Sequence, residues 1–351
     1  MASRKFKVGI VGCGGIAGLC HVPGWQAHPD VEIAAVCDVD KARAAALAQK
    51  AGAKSVFSDF RKLARLKELD AVDVCAPNRV HTPAVLAALE AGKHVICEKP
   101  LAVTVREVAA MGQLARRKKR KLMTAQNCRY HPMAVAIKRF VDDGAIGKPI
   151  HARVYSMRRN LLPGAPGFID RALSGGGPCM DIGVHSLDLA LHFMGFPKPV
   201  RVTGTSKLNF AKGHDIPGGW GEWDRKLFSV EDFAAGFVHF ESGSTLVLET
   251  SWLNHQEEDE RMEDIIFGSA GSIYWPSGKY SSARRRVLYN AQLKEPQGLR
   301  PGHTAELFDF YDCVTQNKPS PVPWEETIKV IAILEGIYRS EKLKREIRLR
   351  L

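Results

Sequence analysis

Residues Val8 to Ala17 read Val-Gly-Ile-Val-Gly-Cys-Gly-Gly-Ile-Ala, an apolar run that breaks into Gly12-x-Gly14-x-x-Ala17. Lys7 to Val11 reads as a buried strand, and a second strand-like run, Val31 to Cys37, ends at Asp38. Gly12 lets the chain turn sharply out of a strand, Gly14 lets backbone N–H groups approach a pyrophosphate, and small Ala17 lets the next helix sit close to the sheet. That helix directs the partial positive charge of its N-terminus at the phosphates. Gly12, Gly14, Gly15, Ile16 and Ala17 are therefore expected to cradle a dinucleotide. Asp38 is placed to accept hydrogen bonds from adenosine ribose hydroxyls and to repel a 2′-phosphate, which favours NAD over NADP. Lys41 and Arg43 nearby soften that preference.

From the first strand to about residue 125, strand-like and helix-like segments alternate. Helices are expected over 41–51, 60–68, 82–91 and 105–114, and strands over 54–57, 71–76, 94–97 and 122–125. Strands separated by helices of ten or so residues imply a parallel sheet with right-handed crossovers. Ligands of such sheets bind at the carboxyl ends of the strands. Those ends carry Gly12, Asp38, Pro77-Asn78, Glu98-Lys99-Pro100 and Asn127 to Arg129.

Beyond residue 125 the pattern changes to long period-two runs, including 150–157, 200–210, 233–240, 245–252 and 264–275. Glu241 to Ser244 and Ser269 to Gly271 read as hairpin connections. The expected fold class is α/β: a dinucleotide-binding domain over 1–125, then an α/β domain over 126–351 built on an open, mostly antiparallel sheet. The free face of that sheet calls for a cover, either the first domain or another subunit.

One helix of the second half concentrates polar side chains. A flexible loop, Ser174-Gly175-Gly176-Gly177-Pro178, feeds a helix expected from Cys179 to Met194. At 100° per residue, Asp181, His185, Asp188 and His192 share one sector of about 60° amid Ile182, Leu187, Leu189 and Leu191. For His192 the packing role is preferred. Asp181 and His185 lie where the glycine loop would admit substrate. The pair could hold a metal, but no third ligand with telling spacing follows, so no metal is expected.

Composition sets outer limits. The chain has 351 residues, 45% hydrophobic and 25% charged, and no apolar run reaches the roughly 20 residues of a membrane span. Met1 to Lys7 leads directly into the first strand, so a cytoplasmic address and no membrane association are expected. The eight cysteines are scattered without a Cys-x-x-Cys pair and read as reduced. A formal charge of +12 is concentrated at 116–121 and 342–350. No aromatic residues interleave with the first cluster, which closes a helix, so a solvated basic face is expected rather than a nucleic-acid site.

Taken in order, Gly12-x-Gly14-x-x-Ala17, Pro77-Asn78-x-x-His81, Glu98-Lys99-Pro100 and Gly176-Gly177-x-x-x-Asp181-x-Gly183-x-His185-x-x-Asp188 resemble the glucose–fructose oxidoreductase, inositol dehydrogenase and rhizopine-catabolism (Gfo/Idh/MocA) family. The resemblance runs from the first strand to the C-terminus. It implies an N-terminal Rossmann domain, a C-terminal domain whose open sheet forms a homodimer or homotetramer, and oxidation or reduction of a carbohydrate-like hydroxyl. It further implies Lys99, Asp181 and His185 as the catalytic trio. Pro77, Asn78, His81, Glu98, Lys99 and Arg129 join the glycine loop and Asp38 in the cofactor site, and the Lys99-Pro100 peptide is expected to have an unusual geometry.

The chemistry fits those residue types. Removing a hydride from a secondary alcohol leaves a proton, which His185 can accept if Asp181 or Asp188 orients its ring. Lys99 can hydrogen-bond the reacting oxygen or relay the proton, and Asp181 can anchor substrate. Three activities are compatible: an NAD-dependent oxidoreductase of a sugar, polyol or inositol-like molecule; a glycoside-cleaving enzyme that oxidises, eliminates and re-reduces with recycled NAD; and an NAD-binding sensor without turnover. Arg153, Tyr155, Arg158, Asn160, Arg171 and His255 are candidates for the pocket wall, and Gly213 to Trp223 for a covering loop.

Overall fold

A computed structural model describes residues 4–351. The chain forms two compact units, the first comprising residues up to 102, 106–130 and 300–327, the second 103–105, 131–299 and 328–351. The division expected from sequence assigned 300–327 to the second domain. In the structure the helix Gly302–Thr315 returns to the first unit, burying Leu307 and Phe310 in its core. Phe310 meets the buried Trp25 edge-on, and Tyr311 meets Phe6. An amphipathic pattern tells that a helix face is buried, not against which sheet.

The first unit holds six strands: β1 (Phe6–Val11), β2 (Val31–Cys37), β3 (Ser55–Phe57), β4 (Ala71–Val74), β5 (His94–Glu98) and β6 (Leu122–Ala125). They pair in parallel in the order β3-β2-β1-β4-β5-β6. Strand order reverses between β1 and β4, which opens a crevice at their carboxyl ends, immediately beside Gly12. Val8, Ile10, Val36, Ile96 and Met123 are buried, as near-continuous apolar strands covered on both faces should be.

Helix ends differ from the expected ones where capping decides. Pro77 caps the helix Asn78–Glu90, so Asn78 and His81 lie in its first turn rather than in a preceding loop. The helix Val105–Lys118 takes in half of the basic cluster. Arg116 pairs with Glu325, Lys118 with Glu90, and Arg120 donates to the Gly92 carbonyl. These cations lie on the last turn and its exit, where the helix dipole favours them.

The second unit is built on nine strands: β7 (Pro149–Arg158), β8 (Pro199–Lys207), β9 (Phe233–Phe240), β10 (Thr245–Ser251), β11 (Glu260–Gly268), β12 (Gly271–Trp275), β13 (Lys279–Arg284), β14 (Val287–Gln292) and β15 (Ile347–Arg348). Their order is β14-β13-β12-β11-β7-β10-β9-β8-β15, with β7 and β10 parallel and the other neighbours antiparallel. Both expected hairpins form, β9 to β10 and β11 to β12.

Side-chain alternation separates the two faces of this sheet. Ala152, Val154 and Ser156 of β7 are buried, and Ser156 Oγ hydrogen-bonds Ser186 Oγ of the helix Gly183–Phe193 at 2.7 Å. Arg153 and Tyr155 therefore face away from that helix. There the Arg261 guanidinium lies 3.9 Å from the Tyr155 ring centroid, and Phe237 of β9 is 39% exposed. Arg153 and Tyr155 thus leave the pocket-wall candidates, because period two sends them to the other face from Asp181 and His185.

Candidate active site

In the first unit the glycine loop has the shape a dinucleotide needs. Gly12 has φ +95, and a Cβ added there would lie 2.5 Å from the Ala76 nitrogen, so only glycine fits. Gly14 and Gly15 have nothing within 4 Å of an added Cβ, which leaves their backbone approachable. Ala17 is fully buried where the following helix meets the sheet. The Cys13 N–H donates to Asp38 Oδ2 at 2.8 Å and the Asp40 N–H to Asp38 Oδ1 at 2.9 Å. These bonds fix the carboxylate beside the loop, with lone pairs to spare for ribose hydroxyls. Arg43 pairs with Asp40, 3.1 Å away, at the surface. Burial, then the Asp38 charge, pushes the Cys13 thiol up to about 12, so it packs as a small neutral side chain. Loop, helix start and carboxylate together fit a dinucleotide.

The neighbouring strand ends hold a second cluster. His81 is completely buried, its Nδ1 2.7 Å from the Pro100 carbonyl oxygen and its Nε2 2.7 Å from that of Ala76. With both ring nitrogens engaged by carbonyls, His81 ties the exits of β4 and β5 together and shapes the cofactor edge through the backbone. The Lys99-Pro100 peptide is cis. The Lys99 N–H donates to Glu98 Oε2 at 3.0 Å, while Glu98 Oε1 lies 2.9 Å from His21 Nε2. Burial raises the Glu98 carboxyl, but the hydrogen bond and charge of His21, with Lys99 and His303, bring it down to about 2. Arg129 is buried and donates to Glu326 Oε2 at 2.7 Å, which makes it an anchor for the returning segment 300–327.

In the second unit the glycine loop is closely packed, where a flexible loop was expected from sequence. A Cβ at Gly176 would lie 2.3 Å from the Tyr338 hydroxyl, and one at Gly177 2.1 Å from the Glu231 carbonyl oxygen. The buried Glu231 Oε1 accepts the Gly177 N–H at 2.9 Å, the Cys179 N–H at 3.3 Å and the Tyr338 hydroxyl at 2.7 Å. The expected single helix is two: Pro178–Asp181, a break at Ile182, and Gly183–Phe193. Gly183 brings the second piece against Thr250 of β10. Asp181 Oδ2 accepts the Trp252 indole N–H at 3.1 Å, Asp188 is buried, and Asp181 and His185 are half-buried. The stripe therefore splits by depth. His192 lies against Phe193 and Phe196 in its packing role.

The remaining pocket candidates are largely paired off. Arg158 donates to Glu260 at 2.7 Å and lies over the Trp220 ring, and Arg171 donates to the Ser229 carbonyl. The covering loop is anchored: Trp223 donates to the Ala211 carbonyl and packs with Ile216, Phe228 and Trp252. Sequence reasoning missed Glu231 and the group formed by the buried His21, Asp73 and Glu306 with the half-buried His303. Asp73 offered the signal, as a carboxylate within the wholly buried strand Ala71-Val72-Asp73-Val74.

Residues 6–126 match the model described as the oxidoreductase family with an NAD-binding Rossmann fold, and residues 134–274 match the GFO/IDH/MocA C-terminal domain. The chain belongs to the Gfo/Idh/MocA oxidoreductase family. It is an NAD(P)-dependent oxidoreductase acting on CH–OH groups, and its cofactor is NAD. It is 33% identical over 344 residues to the D-glucoside 3-dehydrogenase of Escherichia coli (strain K12), covering 97% of this chain and 96% of that protein. It is 26% identical to the myo-inositol 2-dehydrogenase of Thermotoga maritima, with 98% of each chain covered. The fold is shared with a levoglucosan dehydrogenase solved with NADH and levoglucosan, at a TM-score of 0.83 and 22% identity over 99% of this chain and all of the other. Among the described residues, no helix is long and apolar enough to cross a membrane.

Proposed function

We propose that this oxidoreductase transfers hydride between NAD and a secondary hydroxyl or ketone of a polyhydroxylated ring, a D-glucoside or an inositol, with Lys99, Asp181 and His185 acting on the substrate. One observation carries the reading: Asp181 closes the short helix Pro178–Asp181, which Glu231 and Trp252 brace, and His185 lies in the first turn of the next helix, as residues that must meet a small molecule in one geometry should be. The names of the full-length relatives supply the substrate class.

Bound NAD supplies the hydride acceptor. His185 takes the hydroxyl proton on an imidazole nitrogen. Asp181, with Oδ2 held by Trp252, accepts a hydrogen bond from the same or an adjacent hydroxyl and so orients the carbon that reacts. The Lys99 ammonium donates to the substrate oxygen and stabilises its charge as the proton leaves. Arg158 already has Glu260 as a partner, which favours a neutral sugar over an acidic or phosphorylated one.

The test incubates purified protein and NAD with methyl and nitrophenyl D-glucosides, myo-inositol, aldoses and sugar acids, following NADH and released nitrophenol together. Net NADH without nitrophenol supports the reading. Nitrophenol without net NADH identifies the glycoside-cleaving reaction, and neither product with tight NAD binding identifies a sensor.

The outer face of the nine-stranded sheet, where Phe237 pairs with Val247 and Val247 with Arg153, serves as the contact between copies in a homodimer or homotetramer. Sedimentation of Phe237→Asp tests this, with a shift to monomer expected.

A further inference from the structure

His21 has a carboxylate on each side of its ring. It is fully buried, with Nδ1 2.8 Å from Asp73 Oδ2 and Nε2 2.9 Å from Glu98 Oε1. Asp73 is itself fixed, since Oδ2 accepts the Trp25 indole N–H at 2.7 Å and Oδ1 the Cys75 thiol at 3.4 Å. A carboxylate in this setting only accepts, so a ring that bonds two of them carries a proton on both nitrogens. The far oxygen of Glu98 accepts the backbone N–H of Lys99. An unbroken line of hydrogen bonds thus runs from β4 through the imidazole to the peptide of Lys99.

We propose that His21 is held as an imidazolium between Asp73 and Glu98 and is the positioning residue that fixes Lys99 for catalysis. The inference rests on the proposed role of Lys99. His21 is the last residue of a π-helical turn, Ala17–His21, that directly follows the glycine loop. A π turn inserts an extra residue and so re-aims the side chains around it. The imidazolium therefore joins the start of the nucleotide-binding helix to the strand end that carries Lys99. Loss of its charge would leave two buried carboxylates facing each other without a cation, and Glu98 would be free to turn away from the Lys99 peptide. The groups facing His21 are Asp73 from β4 and Cys75 just after it, Cys97 and Glu98 from β5 with Lys99 after them, Cys20 beside it, and His303 and Glu306 from the helix Gly302–Thr315. Ligand atoms of His21, Glu98, His303 and Glu306 lie within 4.8 Å of one another, and Glu306 Oε2 is buried without a partner. A divalent cation at that point is the competing account. The full set of hydrogen bonds on His21 favours the proton.

Nitrogen-15 spectra of histidine-labelled protein read the protonation state directly. His21, assigned by its absence in His21→Gln, should keep both ring protons at pH values well above the ordinary histidine range. With methyl β-D-glucoside and NAD as probes, His21→Gln should lower kcat about 10- to 100-fold while leaving KM for the glucoside and NAD affinity near their wild-type values. Glu98→Gln, which keeps the shape of the side chain, should show the same split and lower the pKa of His21. A neutral ring at pH 8, an unchanged kcat in both variants, or stoichiometric zinc lost in His303→Ala would overturn the proposal. If Lys99→Met turns over like the wild type, the catalytic reading fails instead, and the protonation result stands apart from it.

Discussion

We propose that Asp38 carries the discrimination between the two nicotinamide cofactors, since both its oxygens accept backbone N–H groups that hold the carboxylate in place. Asp38→Ser should weaken NAD about tenfold and narrow the preference over NADP, as fluorescence titration with each cofactor would show. Lys99→Met and His185→Ala should each cut kcat about 100-fold or more with folding and NAD affinity retained. At this scale the sequence was readable where a residue type has one plausible use, as for Gly12 beside a backbone wall. It was silent on which neighbours hold a polar residue in place. His81 and Arg129 stand in the expected region, but they bond carbonyls and Glu326 rather than an open crevice. His21 gave no local signal at all, since its partners are 52 and 77 residues away.

Elements place those residues, and packing at their ends decides how well. Gly177→Ala would drive a methyl group into the Glu231 carbonyl, 2.1 Å away, and should cost about 2–4 kcal/mol, read as a fall in the denaturant midpoint. A loop that merely needed flexibility would lose far less. Strand β5 makes a second prediction through His94, whose Nδ1 accepts the Lys121 backbone N–H at 3.0 Å. Burial, with Arg120 and Lys121 nearby, lowers this imidazole from 6.5 to about 4. Between those values the unfolded chain binds a proton that the folded chain refuses, so stability falls as pH drops from 6.5 towards 4. His94→Gln should flatten that part of the curve of thermal midpoint against pH. Periodicity revealed the strands up to Trp275 and the longer helices of the first 125 residues, but not β13 to β15 or the helices Pro132–Asp142, Gly302–Thr315 and Trp324–Leu343. It also missed the break at Ile182, because β10 rather than local sequence imposes the close approach at Gly183.

For the molecule as a whole, the first unit carries the dinucleotide-shaped glycine loop and Lys99 at its strand ends, and the second carries Asp181 and His185, which we propose act on the substrate. NAD at about 100 times its Kd should stabilise the protein by about 2.7 kcal/mol, seen as a rise in Tm that Asp38→Ser reduces. The α/β class and the change from parallel to antiparallel sheet were plain in the spacing of apolar runs. The return of 300–327 to the first unit was not, because Phe310 finds Trp25 across almost the whole length of the chain. The most direct test of the central claim uses a D-glucoside deuterated at its ring carbons, with NAD and either wild-type protein or His185→Ala. The account predicts deuterium in the reduced nicotinamide with the wild type and at least about a 100-fold slower transfer in the variant. Turnover of the glucoside without deuterium transfer, or transfer at wild-type rate in His185→Ala, would contradict it.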